Sequence, residues 1–251
     1  MEEQFVDKSR VSIRKISKKI AKKLIVENHY SHAWTACRYA LGIFYETDNE
    51  HTFFDEKEEK LIGVLIYGCP IGRLAAQSIS KELKQDEVLE LTRLWIEDGY
   101  GKNVESHSIS QSIKWLKENA KDIKVLMSYA DPTVGHLGGI YQATNWIYQG
   151  DGMRLVDAYS LKLEEDSEWM HSRTVFGRWG SNNLEHLKRK IGHTFWIKEE
   201  LRKHRYIYLL CSKKDKKKLL RTLKYKPLSY PKINDISKIE TIKIEVESKF
   251  E

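Results

Sequence analysis

The stretch VLELTRLWI (Val88–Ile96), running into EDGYGKN (Glu97–Asn103) and then VESHSISQSIKWLKEN (Val104–Asn119), decides how the chain is read. The first part is apolar and rich in β-compatible residues, which predicts a strand. Asp98-Gly99-Tyr100-Gly101 closes it, because two glycines in four residues punctuate the backbone. In the third part Ile109, Ser112, Ile113 and Leu116 share one face and Lys114 and Lys117 lie off it, which predicts a helix over Val104 to Asn119. A short buried strand, Lys124 to Tyr129, follows.

Working outward, Ile13, Ile16, Ile20 and Leu24 recur at helical spacing with lysines between them, predicting a helix from Ser17 to Glu27. Ala36–Tyr45 and Leu61–Tyr67 form a hairpin around an acidic connection, Thr47 to Lys60. Downstream come a helix over Gly138–Trp146, a strand over Met153–Leu163, a helix over Asn183–Ile191 and a strand over Arg205–Cys211. The order helix, hairpin, strand, helix, strand, helix, strand predicts an α/β layer with a mixed sheet. One domain is expected over residues 10–225, with a tail of uncertain order over 226–251.

The chain has 251 residues, enough for one domain with a sizeable core. Its three cysteines, Cys37, Cys69 and Cys211, are odd in number and far apart, which argues against a disulfide framework and fits a reducing cytoplasm. No secretory signal stands at the N-terminus, and the apolar runs are too short to span a bilayer. A net charge of +7 favours contact with phosphates. The basic residues considered for this are Lys102, Arg154, Arg173, Arg178, Lys188, Arg189, Lys190 and the run Lys213–Lys218. That run reads as a solvated face or a phosphate rail. Trp169, Trp179 and Trp196 read as core residues before they read as wedges for a displaced base.

Leu91–Ile96, Lys102-Asn103, Glu105-Ser106, the run SYADP at Ser128–Pro132 and the run GIYQATNW at Gly139–Trp146 resemble, in order and spacing, the signature blocks of the phage Mom family. Asn28-His29-Tyr30-Ser31 resembles it upstream, with weaker echoes at His171-Ser172-Arg173 and Arg205-Tyr206. The resemblance covers residues 25–150. It implies a GNAT-like acyltransferase fold, a mixed central sheet flanked by helices with a C-terminal extension. It also implies a cytoplasmic phage enzyme that converts the exocyclic amine of adenine in double-stranded DNA to a carbamoylmethyl derivative, shielding phage DNA from restriction.

The candidate site residues follow from both readings. Arg93 lies in an apolar strand, so it is either ion-paired to Glu90 or Glu105 or anchors a donor or phosphate. Gly99, Gly101, Lys102 and Asn103 hold the position of the acetyltransferase pyrophosphate loop, where backbone N–H groups receive phosphate. The Gln or Arg expected three residues before the first glycine is Ile96, and a plain strand-to-helix turn is the other reading. Ser106 is a cap-region residue that by resemblance lines the site. Tyr141 is a core aromatic on pattern, while the family block makes it the acid that protonates the leaving group. His29, Tyr30 and Asp131 are implied to bind a metal, iron being favoured; the other reading is a hydrogen-bonded acid–base pair of His29 and Asp131. By charge, Lys188, Arg189, Lys190 and Arg173 are the expected DNA contacts. The donor is either acetyl-coenzyme A or glycyl-tRNA, since acetyl transfer alone leaves the product's nitrogen unexplained. Rival functions are small-molecule or protein N-acetylation, or non-catalytic DNA binding on the same fold.

Overall fold

A computed structural model describes residues 4–48, 57–72, 74–132, 135–151, 159–199, 201–232 and 241–246. In chain order its elements begin with β1 (Val11–Lys15), α1 (Lys18–Asn28), β2 (Tyr39–Asp48), β3 (Lys57–Gly68), α2 (Ala75–Ile79), β4 (Val88–Ile96), α3 (Val104–Asn119) and β5 (Val125–Ala130). They continue with α4 (Gly139–Gln142), β6 (Ile147–Asp151), β7 (Tyr159–Lys162), α5 (Ser172–Trp179), α6 (Leu184–Ile191), β8 (Phe195–Glu199), β9 (His204–Leu209), α7 (Lys213–Thr222) and β10 (Thr241–Ile244). The chain is α/β, with a mixed central sheet flanked by helices.

Two compact units divide it. Met1–Tyr129, Gly138–Gly150 and Arg205–Tyr230 form the first; Ala130–Leu137, Asp151–His204 and Pro231–Glu251 form the second. Residues 10–225, taken above as one domain, are thus shared between them.

The sheet of the first unit runs β1-β2-β3-β4-β5-β9-β6. Pairing is antiparallel from β1 through β4 and parallel between β4 and β5. Ser17 starts α1 by accepting the Ile20 N–H at 3.2 Å, the capping role of a hydroxyl at that position. Ala21 and Ile25 then bury themselves against Ala40, Val64 and Ile66. Each large aliphatic side chain so buried contributes about 1.5–3 kcal/mol. On the other face Tyr67 reaches α3, where its hydroxyl sits 2.7 Å from Ser112 Oγ.

One irregularity of this sheet makes a site. β4 pairs with β5 only over Val88–Glu90 against Val125–Met127, yet runs on along β3 as far as Ile96. Beyond Glu90 the two parallel strands part and leave a fork.

The second unit holds a three-stranded antiparallel sheet, β10-β8-β7. Its core is Leu161, Val175, Leu187, Phe195, Ile197 and Ile244. Thr241–Ile244, from the expected tail, is therefore a paired strand.

Several expectations need correction. The helix placed over Gly138–Trp146 covers only Gly139–Gln142, because Asn145 takes a left-handed conformation and Trp146 turns fully into the core. The strand placed over Met153–Leu163 is Tyr159–Lys162; residues 152–158, Arg154 among them, lie outside the described residues. The Lys213–Lys218 run is the start of α7, capped by Ser212 and anchored by buried Leu219. Trp169, Trp179 and Trp196 are half-buried rather than core. Lys198 lies 4.4 Å from the Trp169 ring centre and Arg178 4.9 Å from that of Trp179, as cation–π contacts.

Candidate active site

The fork between β4 and β5 is bridged by a side chain where the backbone ladder stops. Ser128 Oγ lies 2.8 Å from the Leu91 carbonyl and 2.7 Å from the Tyr141 hydroxyl. A serine carries one proton and a carbonyl can only accept. Ser128 can donate to either oxygen, and the Tyr141 hydroxyl can donate in return when the serine proton goes to Leu91. Tyr141 is 7% exposed, and burial pushes its phenol up to about 12; the Ser128 bond opposes the rise, and nearby Tyr30, Glu90 and Tyr206 add to it. The group is a protonated, weak acid at neutral pH.

Tyr141 is held by aromatic neighbours, with ring centres 5.1 Å from Trp146 and 5.2 Å from Tyr206. Gln142 donates to the Tyr206 hydroxyl at 3.1 Å. Gly138 permits the close approach: at φ +78, a Cβ there would sit 2.4 Å from the Tyr206 ring.

The predicted residues separate as follows. His29 and Tyr30 end α1 in the first unit, rings 4.3 Å apart, His29 buried and Tyr30 exposed. Arg93 makes neither ion pair considered: its Nε donates to the Ala33 carbonyl at 3.3 Å and its Nη1 to the Thr92 carbonyl at 2.7 Å. It ties β4 to the segment that follows α1. Ser106 donates back to the Asn103 carbonyl at 3.1 Å. Asp131 belongs to the second unit, where its carboxylate meets Lys203 at 3.1 Å.

The metal expectation does not fit this donor set. His29 Nδ1 accepts the Ser31 N–H at 3.1 Å and lies 2.9 Å from the Ser31 hydroxyl. A neutral ring accepting at Nδ1 carries its proton on Nε2, so neither nitrogen presents a lone pair to an ion. Among the described residues no three His, Cys, Asp or Glu side chains group as a metal site.

The glycine loop has one of its amides already taken. Lys102 N–H donates to the Gln4 carbonyl at 2.9 Å and Val6 N–H to the Lys102 carbonyl at 3.0 Å, so residues 4–6 pair with the loop like a short strand. A Cβ on Gly101 would lie 2.7 Å from the Gln4 carbonyl. The adjoining cavity, about 850 Å³, is walled by Asp7, Glu97, Asp98 and Glu105 against Lys102. Hydrogen bonding by Ser9 holds the Asp7 carboxyl below its usual value, so it is ionised. Asp7 pairs with Arg10 at 3.4 Å and Glu97 with Lys60 at 2.9 Å, which leaves Asp98 and Glu105 as the carboxylates facing Lys102. Gly99, Gly101, Lys102 and Asn103 form a strand-to-helix turn in which Gln4 takes the Lys102 amide.

Of the expected DNA contacts, Lys188 pairs with Glu185 at 2.9 Å and Arg189 donates to the Glu185 carbonyl. With Lys190 they fill the last turn of α6, where cations suit the helix dipole. Arg173 is exposed on α5.

Sequence reasoning gave no role to Ser128 or Arg205. Arg205 is 7% exposed, donates to Ser78 Oγ at 3.1 Å and stacks on Tyr225. Its charge also opposes the rise that burial imposes on the Tyr129 phenol. A buried arginine beside the end of β5 is a local signal only in three dimensions; Ser128 stood inside a recognised block but had no chemistry until its partner was placed.

These features define an α/β protein with an acid-bearing fork between parallel strands. The chain belongs to the Mom protein family, whose model matches residues 10–232. It is 28% identical over 226 residues to the methylcarbamoylase mom of Escherichia phage Mu, spanning 88% of this chain and 83% of that one. Among solved structures, the ribosomal-protein-S5-alanine acetyltransferase of Vibrio fischeri overlays with a TM-score of 0.41 at 12% identity, over 80% of this chain and 93% of that one. A GNAT-family acetyltransferase of Bacillus anthracis gives 0.40 at 11%, over 82% and 99%.

Proposed function

We infer that this chain is a transferase that converts the exocyclic amine of adenine in double-stranded DNA to a carbamoylmethyl group. Membership of the Mom family and the likeness to a methylcarbamoylase support that reading. Among the described residues no helix is long and apolar enough to cross a membrane, and the reaction is placed in the cytoplasm, where phage DNA is exposed to restriction. Adenine's amine is paired inside the duplex, so the base must be extruded, at a cost of about a few kcal/mol. Asp131 is the base in this reading, and Lys188, Arg189, Lys190 and Arg173 contact the DNA.

The observation that carries the donor assignment is the Tyr141 hydroxyl, buried at the β4–β5 fork and 2.7 Å from Ser128 Oγ, a phenol that burial pushes up. A general acid works best with a pKa near the operating pH, so a phenol held this high gives up its proton only to a strongly basic leaving group. A thiolate, with a conjugate acid near 8.5, is too weak a base to take its proton readily. An alkoxide leaving from a sugar ester is far more basic and a better match. The carboxylates of Asp98 and Glu105 beside the glycine loop favour the same reading, glycyl-tRNA over acetyl-coenzyme A.

In that reaction the adenine N6 attacks the glycyl ester carbonyl. The C–O bond breaks, and Tyr141 protonates the departing ribose oxygen. The glycyl amine then attacks ring carbon C6, closing a five-membered ring. Cleavage of the original C6–N6 bond opens it to C6–NH–CH₂–CO–NH₂. The second step is an isomerisation, so both carbons and the new nitrogen derive from one glycine.

Intact-mass analysis of nucleosides from DNA co-expressed with the protein tests the activity, and uniformly labelled glycine tests the donor. Product carrying both carbons and the nitrogen together is expected. Acetate label with nitrogen from elsewhere would overturn the donor, and unmodified or acetylated adenine would overturn the function.

A further inference from the structure

A second cavity in the first unit has the opposite charge to the one beside the glycine loop. It measures about 580 Å³ and is walled by Lys18, Lys19 and Lys22 of α1 and by Trp34, Thr35, Ala36 and Cys37, the segment that returns along the helix. No carboxylate lines it. Cys37 does not supply one in disguise, because burial pushes its thiol up and keeps it neutral, against a smaller opposing effect of Lys18.

The lysines are costly where they stand. Lys18, Lys19, Lys22 and Lys23 crowd the first turns of α1, with like charges at i,i+3 and i,i+4, and the first turn holds no acidic residue to offset them. Cations at a helix N-terminus also oppose the helix dipole. All four, and Lys15 before them, are exposed and make no ion pair among the described residues. The α6 cluster, by contrast, sits at a C-terminus and is partly paired. A local violation of charge preference without internal compensation marks a surface shaped for an external anion.

The fourth wall says which anion. Trp34 packs one side on the Ala21–Ile25 core and leaves indole surface to the cavity. Phosphate-binding lysines beside an aromatic ring are the elements of a single-strand seat, in which an unstacked base lies on the ring. Bases of a duplex are stacked inside it and cannot reach the indole, and the cavity holds one or two nucleotides.

We propose that this cavity seats the unpaired end of an RNA, with phosphates on Lys18, Lys19 and Lys22 and a base on Trp34. The inference rests on the reading in which the donor is an aminoacyl-RNA ester. The helix runs eleven residues from Lys18 to Asn28, next to His29 and Tyr30, a rise of about 16 Å. An RNA end held at one end of α1 can thus extend its terminal ester along the helix toward the other.

The test is fluorescence anisotropy of the full-length protein with a labelled single-stranded RNA octamer, alongside a blunt 16-base-pair duplex DNA and coenzyme A as competitors. Lys18→Glu with Lys22→Glu should weaken the octamer at least tenfold and reduce its salt slope by about 1.4, two phosphates' worth on a single strand. Trp34→Ala should weaken it about tenfold with the slope unchanged. Trp34→Phe, which keeps a ring and most of the packing, should bind within a few-fold of wild type, so a folding defect in Trp34→Ala is recognisable. Octamer affinity unaltered by the lysine exchanges would overturn the proposal. So would duplex DNA losing as much affinity as RNA, or coenzyme A displacing the octamer. The glycine-labelling experiment reads the donor separately: lost octamer binding with label still entering the product overturns the seat, and the reverse overturns the donor.

Discussion

Ser128 Oγ stands 2.7 Å from the Tyr141 hydroxyl and 2.8 Å from the Leu91 carbonyl, at the point where β4 and β5 part. The two hydroxyls therefore share one short contact where the strands open. Tyr141→Phe removes the proton but keeps the ring among Trp146 and Tyr206. Modified adenine in nucleoside digests should fall at least about 100-fold, the usual weight of a general acid. The melting curve should lose only about 1 kcal/mol, one buried hydrogen bond. Modification near wild-type level would remove Tyr141 from the reaction.

The same phenol makes stability depend on alkaline pH. Its folded pKa is about 12 against an unfolded value near 10. The protonated form is favoured in the folded state, so the contribution is complete below pH 10 and disappears as pH rises through 12. Two units correspond to about 2–3 kcal/mol. Burial also pushes the Tyr67 phenol up, adding to the loss in the same window. Denaturant midpoints at pH 9, 10 and 11 should fall in order, and less steeply in Tyr141→Phe. Parallel slopes in the two proteins would show that the phenol titrates normally.

Asp131 and Lys203 meet at 3.1 Å with partly exposed side chains, a pair worth about 0–1 kcal/mol. Asp131→Ala should consequently abolish adenine modification while shifting the denaturant midpoint little. Wild-type product yield from this variant would reject the carboxylate as the base.

Gly101 takes φ +90 with the backbone of Gln4 and Val6 against its α-carbon. Gly101→Ala should cost about 1–3 kcal/mol in strain and release residues 4–6 from the loop. Hydrogen exchange at the Val6 and Lys102 amides would report this as accelerated exchange at both. Unchanged protection at these amides would count against the pairing.

Local pattern carried the strand-turn-helix of β4 and α3 to the residue, because the apolar run ends on acidic and glycine residues and the helix face is continuous. Ser17 was likewise a readable start for α1. The Gly138–Trp146 helix was overcalled since the left-handed turn at Asn145 is dictated by where Trp146 must bury, a tertiary demand. Arg93 defied pattern for a similar reason: its partners are carbonyls, which no composition reveals. At the site, Tyr141 was legible from its block, whereas the lone pair of His29 was decided by Ser31 two residues on. Asp131 and Tyr141, ten residues apart in sequence, belong to different units, and nothing in their spacing signals the boundary.

The position of β9 has a consequence for how the protein is made. His204–Leu209 lies between β5 and β6, which are complete by residue 151. A chain emerging from the ribosome must therefore hold two unpaired strand edges while more than fifty further residues are synthesised. Such edges are templates for association with other chains. Truncation before residue 204 should yield aggregating protein, and full-length expression should benefit from chaperone capture during that interval.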